Sequence, residues 1–270
     1  MAVRVTILGS GSRGNSTYIE AGRTRLLIDA GLSARQIRQR LAAIGRSPET
    51  LTAILVTHEH SDHINGLRVL CRNLPAPVYC NRLTRDAILY SLPDVRLDFR
   101  LFETGAVFQI GEVEVESFSV PHDAQDPVGF LIRTDGGQVG FLTDLGHATR
   151  LVLERVRPAH ALVLEANHDV RLLQEDLRRP WSVKQRILSR HGHLSNEAAA
   201  DALAEILHDG LRHVLLGHLS QDCNRPELAE QCVRARLQAM GARHVRLEVA
   251  SQAVPSATVQ LGGDGVKVAG

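Results

Sequence analysis

The stretch Leu51-Thr52-Ala53-Ile54-Leu55-Val56-Thr57-His58-Glu59-His60-Ser61-Asp62-His63 decides how this chain is read. The apolar run from Leu51 to Val56 predicts a buried strand. Just past its end, His58, His60, Asp62 and His63 place four metal-capable side chains within six residues. Imidazole nitrogen and carboxylate oxygen are donors that borderline divalent cations prefer. Crowded together without a cation, they leave charge and polar groups in need of other partners. His58 and His60, two apart on an extended loop, can face one ion. Asp62 and His63 open a helix and turn toward a second. Two ions about 3.5–4 Å apart act as a hydrolytic clamp on one reacting group.

This H-x-H-x-D-H run resembles the signature of the metallo-β-lactamase-fold hydrolases, and further residues match the family's pattern in order. His122 follows Ser119-Val120-Pro121, Asp144 closes Gly140-Phe141-Leu142-Thr143, and His218 closes Val214-Leu215-Leu216-Gly217. Asp29 in Leu26-Leu27-Ile28-Asp29 matches the supporting aspartate. The resemblance implies an α/β (α+β) fold, an αββα sandwich of two mixed β-sheets flanked by helices. The metals would sit at one edge, between the sheets. It also implies two divalent ions per chain. His58, His60 and His122 would hold one, Asp62, His63 and His218 the other, with Asp144 between them. His and Asp donors suit Zn²⁺, Mn²⁺ or Fe²⁺ alike. A hydroxide held between the ions is the expected nucleophile, with Asp62 and Asp144 counted among the catalytic groups.

The rest of the composition agrees. With 270 residues, 44% hydrophobic and 23% charged, one sizeable core is expected. We expect a single domain over residues 1–262 and a loose tail over 263–270, where Gly262-Gly263-Asp264-Gly265 begins it. No stretch of 18 apolar residues predicts a membrane span. Met1-Ala2-Val3-Arg4-Val5 enters a strand without a signal-like apolar segment. Cys71, Cys80, Cys223 and Cys232 show no C-x-x-C spacing and read as reduced thiols of a cytoplasmic protein.

A net charge of +1 excludes a global basic field. The densest basic stretch runs from Arg178 to Arg190 and includes Lys184 and Arg186, two possible phosphate contacts. Trp181, the chain's one tryptophan, is expected to anchor this stretch in the core. Between two early strands, Gly9-Ser10-Gly11-Ser12-Arg13-Gly14-Asn15-Ser16 reads either as a hairpin turn or as an anion cradle using Ser10, Ser12 and Asn15. Helices are expected over Ala34 to Ile44, Asp62 to Arg72, Thr84 to Tyr90, Val183 to Ser189, Asn196 to His208 and Pro226 to Met240.

Fold alone does not choose the chemistry. Asp144 stands where many true β-lactamases of this fold carry Cys, which disfavours antibiotic hydrolysis. Only 218 − 144 = 74 residues separate Asp144 from His218, too few for a large inserted domain. Five strings narrow the resemblance further: Leu8 to Ser16, Pro121 to Phe130, Glu165-Ala166-Asn167-His168-Asp169, Gly192-His193-Leu194-Ser195-Asn196 and His218-Leu219-Ser220. Together they resemble the WalJ/YycJ-like proteins of bacteria. That resemblance implies a cytoplasmic metal-dependent nuclease, a 5′→3′ exonuclease on DNA linked to mismatch repair, with repair proteins as partners. His193 is then a phosphate-stabilising residue, a general acid, or a residue that orients a ligand. Ser195 and Asn196 suit an anion site at a helix start, and His168 lines the site. Two other readings stand beside this one. One is a glyoxalase II-like thioesterase or lactonase, and the other a non-catalytic regulatory protein that binds metal.

Overall fold

Val3, Val5 and Ile7 alternate with Arg4 and Thr6, the period that suits a strand with one apolar face. They form β1 (Val3–Gly9), followed by β2 (Ser16–Ala21), β3 (Thr24–Ile28), β4 (Ala53–Leu55), β5 (Val78–Cys80) and β6 (Phe99–Leu101). A second set follows: β7 (Val107–Ile110), β8 (Val113–Ser119), β9 (Val128–Thr134), β10 (Gly137–Leu142), β11 (Ala161–Glu165), β12 (His213–Gly217) and β13 (Arg246–Val249). The last strand is β14 (Val259–Leu261). The computed structural model describes residues 1–262, so the expected tail at 263–270 lies outside the described residues.

The strands form two seven-stranded sheets, ordered β14-β1-β2-β3-β4-β5-β6 and β13-β12-β11-β10-β9-β8-β7. Each is mixed. The pairs β1–β2 and β2–β3 are antiparallel, while β3 through β6 run parallel. In the second sheet β7 through β10 are antiparallel and β10 through β13 parallel. Ile7, Ile19, Ile28 and Leu55 of one sheet share a buried cluster with Phe130, Phe141, Val163 and Leu215 of the other.

The outer faces are covered by helices: α1 (Ala34–Ala43), α2 (Ser61–Ile64), α3 (Leu67–Leu70), α4 (Arg82–Ser91), α5 (Arg150–Val156), α6 (Val170–Glu175), α7 (Trp181–Ile187), α8 (Asn196–Ile206) and α9 (Pro226–Ala239). Ile37, Leu41, Leu67 and Ile88 pack on the first sheet, and Val152, Leu203 and Val233 on the second. This is the αββα sandwich that the resemblance implies. Asp29, Asp144 and His218 follow strand ends, while Glu165 closes β11. All four lie at the carboxyl ends of parallel strands, the edge where open α/β sheets place their ligands.

The structure departs from the sequence expectations in three places. The helix expected over Asp62 to Arg72 is broken into α2 and α3, because the backbone at Gly66 packs on the chain beneath it. Its N–H donates to Ala30 O at 2.7 Å, and a Cβ there would lie 2.2 Å from Leu32 O. Helices α5 and α6, strand β6 and the closing strand β14 were not expected, and the last extends β1 as an edge partner. Trp181 is 62% exposed rather than anchored in the core. The cysteines agree with their reading as thiols: Cys71, Cys80 and Cys223 are free and buried, and Cys232 is free and half-buried. Among the described residues no helix is long and apolar enough to cross a membrane.

Candidate metal centre

Strand β4 is only three residues long and fully buried, so the chain leaves it with its polar groups already inside. Asp29, at the end of β3, receives them. Its Oδ1 accepts from the Thr57 amide at 2.8 Å and from Thr57 Oγ1 at 3.1 Å, and its Oδ2 lies 2.8 Å from His63 Nδ1. A carboxylate accepts, so His63 donates from Nδ1 and turns Nε2 inward. That nitrogen lies 3.1 Å from Asp144 Oδ2 and 3.5 Å from Asp62 Oδ2. A Cβ on Gly31 would stand 1.6 Å from Asp62 O. Glycine there lets the Asp29 loop close on the ligand loop.

The second sheet mirrors this device with Glu165. Its Oε1 accepts from His193 Nδ1 at 2.7 Å and from His218 Nδ1 at 2.9 Å. Its Oε2 accepts from the amides of Leu145 at 2.9 Å and Leu194 at 3.1 Å. Four donors converge on one fully buried carboxylate, which lowers its pKa to about 2. Burial opposes this, and His193 and His218 outweigh burial. His218 Nε2 is thereby aimed at Asp62 Oδ2, 3.3 Å away, and Asp144 Oδ1, 3.4 Å away. His122 is held by its Nδ1 at 3.0 Å from Gly192 O, with Nε2 3.3 Å from His60 Nδ1 and 3.6 Å from Asp144 Oδ1.

Asp29, Asp144 and His218 share an unusual backbone, with φ of 59°, 56° and 56°. This left-handed region is uncommon for residues with a Cβ, and such residues cluster at functional sites. Here each marks the bend where a strand yields to the loop that carries the site.

Four donor sets result among the described residues, each with atoms within 4.8 Å of one another: His58 with His60 and His122, Asp62 with His63 and His218, His58 with His63 and Asp144, and Asp144 with Glu165, His193 and His218. His58 Nε2 and Asp144 Oδ2 are buried with no hydrogen-bond partner. Such orphans cost about 1–3 kcal/mol each unless something else meets them. Burial and the neighbouring His63 hold His58 well below its ordinary pKa, the neutral form in which imidazole is a ligand. Burial also opposes charge on His63 and His218. There Asp144 and the other carboxylates outweigh it and raise both well above the usual value. Asp62 and Asp144 stay well below the carboxylate range despite their burial, chiefly through His63 and His218. The residues therefore fit divalent cations in donor type and unmet valence, with His58, Asp62 and Asp144 already in their ligating forms, and a bound cation would displace the proton that the carboxylates hold on His63 and His218.

The other predicted residues fall into different roles. Ser10 Oγ accepts from the His218 amide at 2.7 Å and donates to Asn15 Oδ1 at 2.9 Å. Asn15 Nδ2 lies 3.3 Å from Asp62 Oδ2. The Gly-rich turn thus braces ligands from both sheets, and of its three expected anion contacts only Ser12 is exposed. Ser195 caps α8 through the Ala198 amide at 3.1 Å, and Asn196 is buried against Asn224. His168 is buried with neither ring nitrogen partnered, and burial lowers it to about 4. Lys184 needs correction as a phosphate contact. It is buried, and its Nζ donates to Gln174 O at 2.8 Å, tethering α7 to α6. Arg186 is exposed and pairs with Asp123, whose Oδ1 lies 3.4 Å from His122 Nε2.

Sequence reasoning missed Glu165 as a site residue, together with Thr57 and Asn167, whose Nδ2 donates to His218 O at 2.9 Å. The signal for Glu165 was present: a lone carboxylate ending the apolar run Ala161-Leu162-Val163-Leu164.

Comparison with known proteins agrees with this fold. The family model described as the β-lactamase superfamily domain matches residues 24–219. The chain belongs to the metallo-β-lactamase superfamily of hydrolases. Within it, the chain is 39% identical over 242 residues to exodeoxyribonuclease YycJ of Bacillus anthracis, covering 89% of this chain and 91% of that one. It is 42% identical over 229 residues to exodeoxyribonuclease WalJ of Streptococcus pneumoniae, covering 84% and 85%. Among solved structures, the metallo-β-lactamase fold protein YhfI from Bacillus subtilis superposes with a TM-score of 0.67 at 16% identity. That match covers 94% of this chain and 99% of YhfI, and it attests the fold alone.

Proposed function

We propose that this protein is a dinuclear metal-dependent phosphodiesterase, a cytoplasmic 5′→3′ DNA exonuclease that serves mismatch repair alongside other repair proteins. The observation that carries the reading is the Glu165–His193 pair set beside the donor cluster. His193 is partly open to solvent, and its Nδ1 is held 2.7 Å from Glu165 and 3.8 Å from Asp144 Oδ1. Burial opposes its charge, but Glu165 outweighs burial and raises its pKa. A protonated imidazole at the mouth of the site can bind a phosphoryl oxygen or give its proton to the leaving 3′ oxygen.

His58, His60 and His122 would hold one cation and Asp62, His63 and His218 the other, with Asp144 shared. Bound divalent ions supply Lewis acidity and lower the pKa of water toward 7. Asp29 and Glu165 fix which nitrogen of His63 and His218 points inward. The proton donor favours a phosphodiester over a thioester. A thiolate leaves unaided, since its conjugate acid has a pKa of about 8.5, whereas an alkoxide needs a proton. The names of the YycJ and WalJ relatives support a DNA substrate, and the WalJ/YycJ-like strings support the polarity and the repair role.

A time course on a duplex labelled at one 5′ end, with Mn²⁺ or Zn²⁺, tests the reading. We expect stepwise release of 5′ mononucleotides that Asp144→Ala abolishes, together with loss of bound metal in the variant. An intact duplex with either metal would overturn it and turn attention to thioesters and lactones.

A further inference from the structure

The segment between α6 and α7 holds two large apolar side chains out in solvent: Leu177 is 98% exposed and Trp181 62%. The segment is nonetheless firmly fixed. Arg178 and Arg179 both pair with Asp176 and Asp222, and Arg179 approaches Cys223 Sγ at 3.3 Å. Lys184, the one buried residue of α7, ties that helix to Gln174 O. A network of this size, spent on keeping an unburied Leu and Trp in place, is not explained by folding. Burying them would stabilise the protein instead.

We infer that Leu177 and Trp181 form a platform for an unpaired stretch of the DNA strand whose phosphate lies in the metal centre, with Trp181 stacked on a base. The inference rests on the phosphodiesterase reading above. Three observations favour a nucleic-acid strand. From Arg178 to Arg190 the chain carries five Arg or Lys and no Asp or Glu. Once the pairs to Asp176, Asp222 and Asp123 are set aside, and with Lys184 buried against Gln174 O, the exposed Arg190 remains without a carboxylate partner among the described residues. The platform is also continuous with the site. At the far end of α7, Ile187 O accepts from the His193 amide at 3.0 Å, and Arg186 pairs with Asp123 beside His122.

Seven residues of helix span about 10 Å. At about 3.4 Å per stacked nucleotide, that is roughly three nucleotides from the scissile phosphate. Aromatic stacking tolerates any base, which suits an exonuclease. A second copy of the chain fits less well, because two apolar side chains among arginines fall short of the roughly 1,000 Å² a specific protein interface buries.

Trp181 is the chain's sole tryptophan, so its fluorescence reports on this platform alone. The metal-loaded protein is titrated with a phosphorothioate oligothymidylate that resists cleavage. In parallel, kcat/KM is measured on single-stranded DNA and on bis(p-nitrophenyl) phosphate, which is too short to reach α7. We expect quenching by the oligonucleotide. In Trp181→Ala, the ratio of the DNA to the small-diester kcat/KM should fall roughly tenfold, with Trp181→Phe restoring most of it. Absence of quenching, or an unchanged ratio in Trp181→Ala, would overturn the platform while leaving the nuclease reading intact. A wild-type dimer that Trp181→Ala dissolves would also overturn it and assign the face to a second copy. If the wild type cleaves neither substrate, the phosphodiesterase reading fails, and the titration still decides whether Trp181 meets a strand.

Discussion

Glu165 does for His193 and His218 what Asp29 does for His63: it fixes a tautomer and a direction. Outer carboxylates of this kind are typically worth 10–100-fold in activity or metal affinity. Glu165→Gln keeps the volume but leaves a single acceptor oxygen for four donors, and its amide group would face one pair of N–H donors. We expect kcat on bis(p-nitrophenyl) phosphate to fall by about 10–100-fold with an unchanged circular dichroism spectrum. Activity within twofold of wild type would remove Glu165 from the mechanism. The seven candidate donors were legible in the sequence because four fall within six residues and the others follow apolar runs. Glu165 escaped notice because it closes such a run without a second polar residue before it. Lys184 and Trp181 were misread for a related reason. Composition marks a segment as basic or aromatic, but only the backbone of α7 decides that position 184 points in and position 181 out.

At the scale of elements, the loop from α7 to His193 depends on a missing side chain. A Cβ on Gly192 would lie 2.1 Å from Ile187 O and 2.3 Å from Arg186 O. Gly192 O also holds His122 at 3.0 Å. In Gly192→Ala the loop must lift off the end of α7, and His193 and His122 move with it. Misplacement by about 1 Å costs on the order of a hundredfold in rate. We expect a loss of that size in kcat, with a melting temperature lowered by only a few degrees. A large drop in melting temperature with kcat intact would mean the loop supports the fold rather than the site. Most strands were readable from their apolar periods. The break at Gly66 was not, since it arises from contact with Ala30 and Leu32, 36 and 34 residues earlier in the chain. Strand β14 was also opaque, because three residues carry little pattern until β1 offers them an edge.

Across the whole molecule, β14 covers that edge. It pairs Val3 with Leu261 and Val5 with Val259, while Ser256 exchanges hydrogen bonds with Ile7. Removing residues 256–270 would bare an apolar strand edge, the feature that templates aggregation. We expect the shortened protein to melt earlier and to scatter light on standing; a stable, monomeric product would show that β1 needs no partner. Both sheets meet at the candidate metal centre, and the meeting is made by Asp29, Asp144 and His218, whose left-handed angles glycine would adopt freely. For side chains with a Cβ, that conformation costs roughly 1 kcal/mol or more at each position. A designer asking only for a sturdier scaffold would write glycine at all three. The same edit would delete the carboxylate that orients His63 and two candidate donors, the Asp144 carboxylate and the His218 imidazole, so robustness and chemistry compete at three backbone torsions.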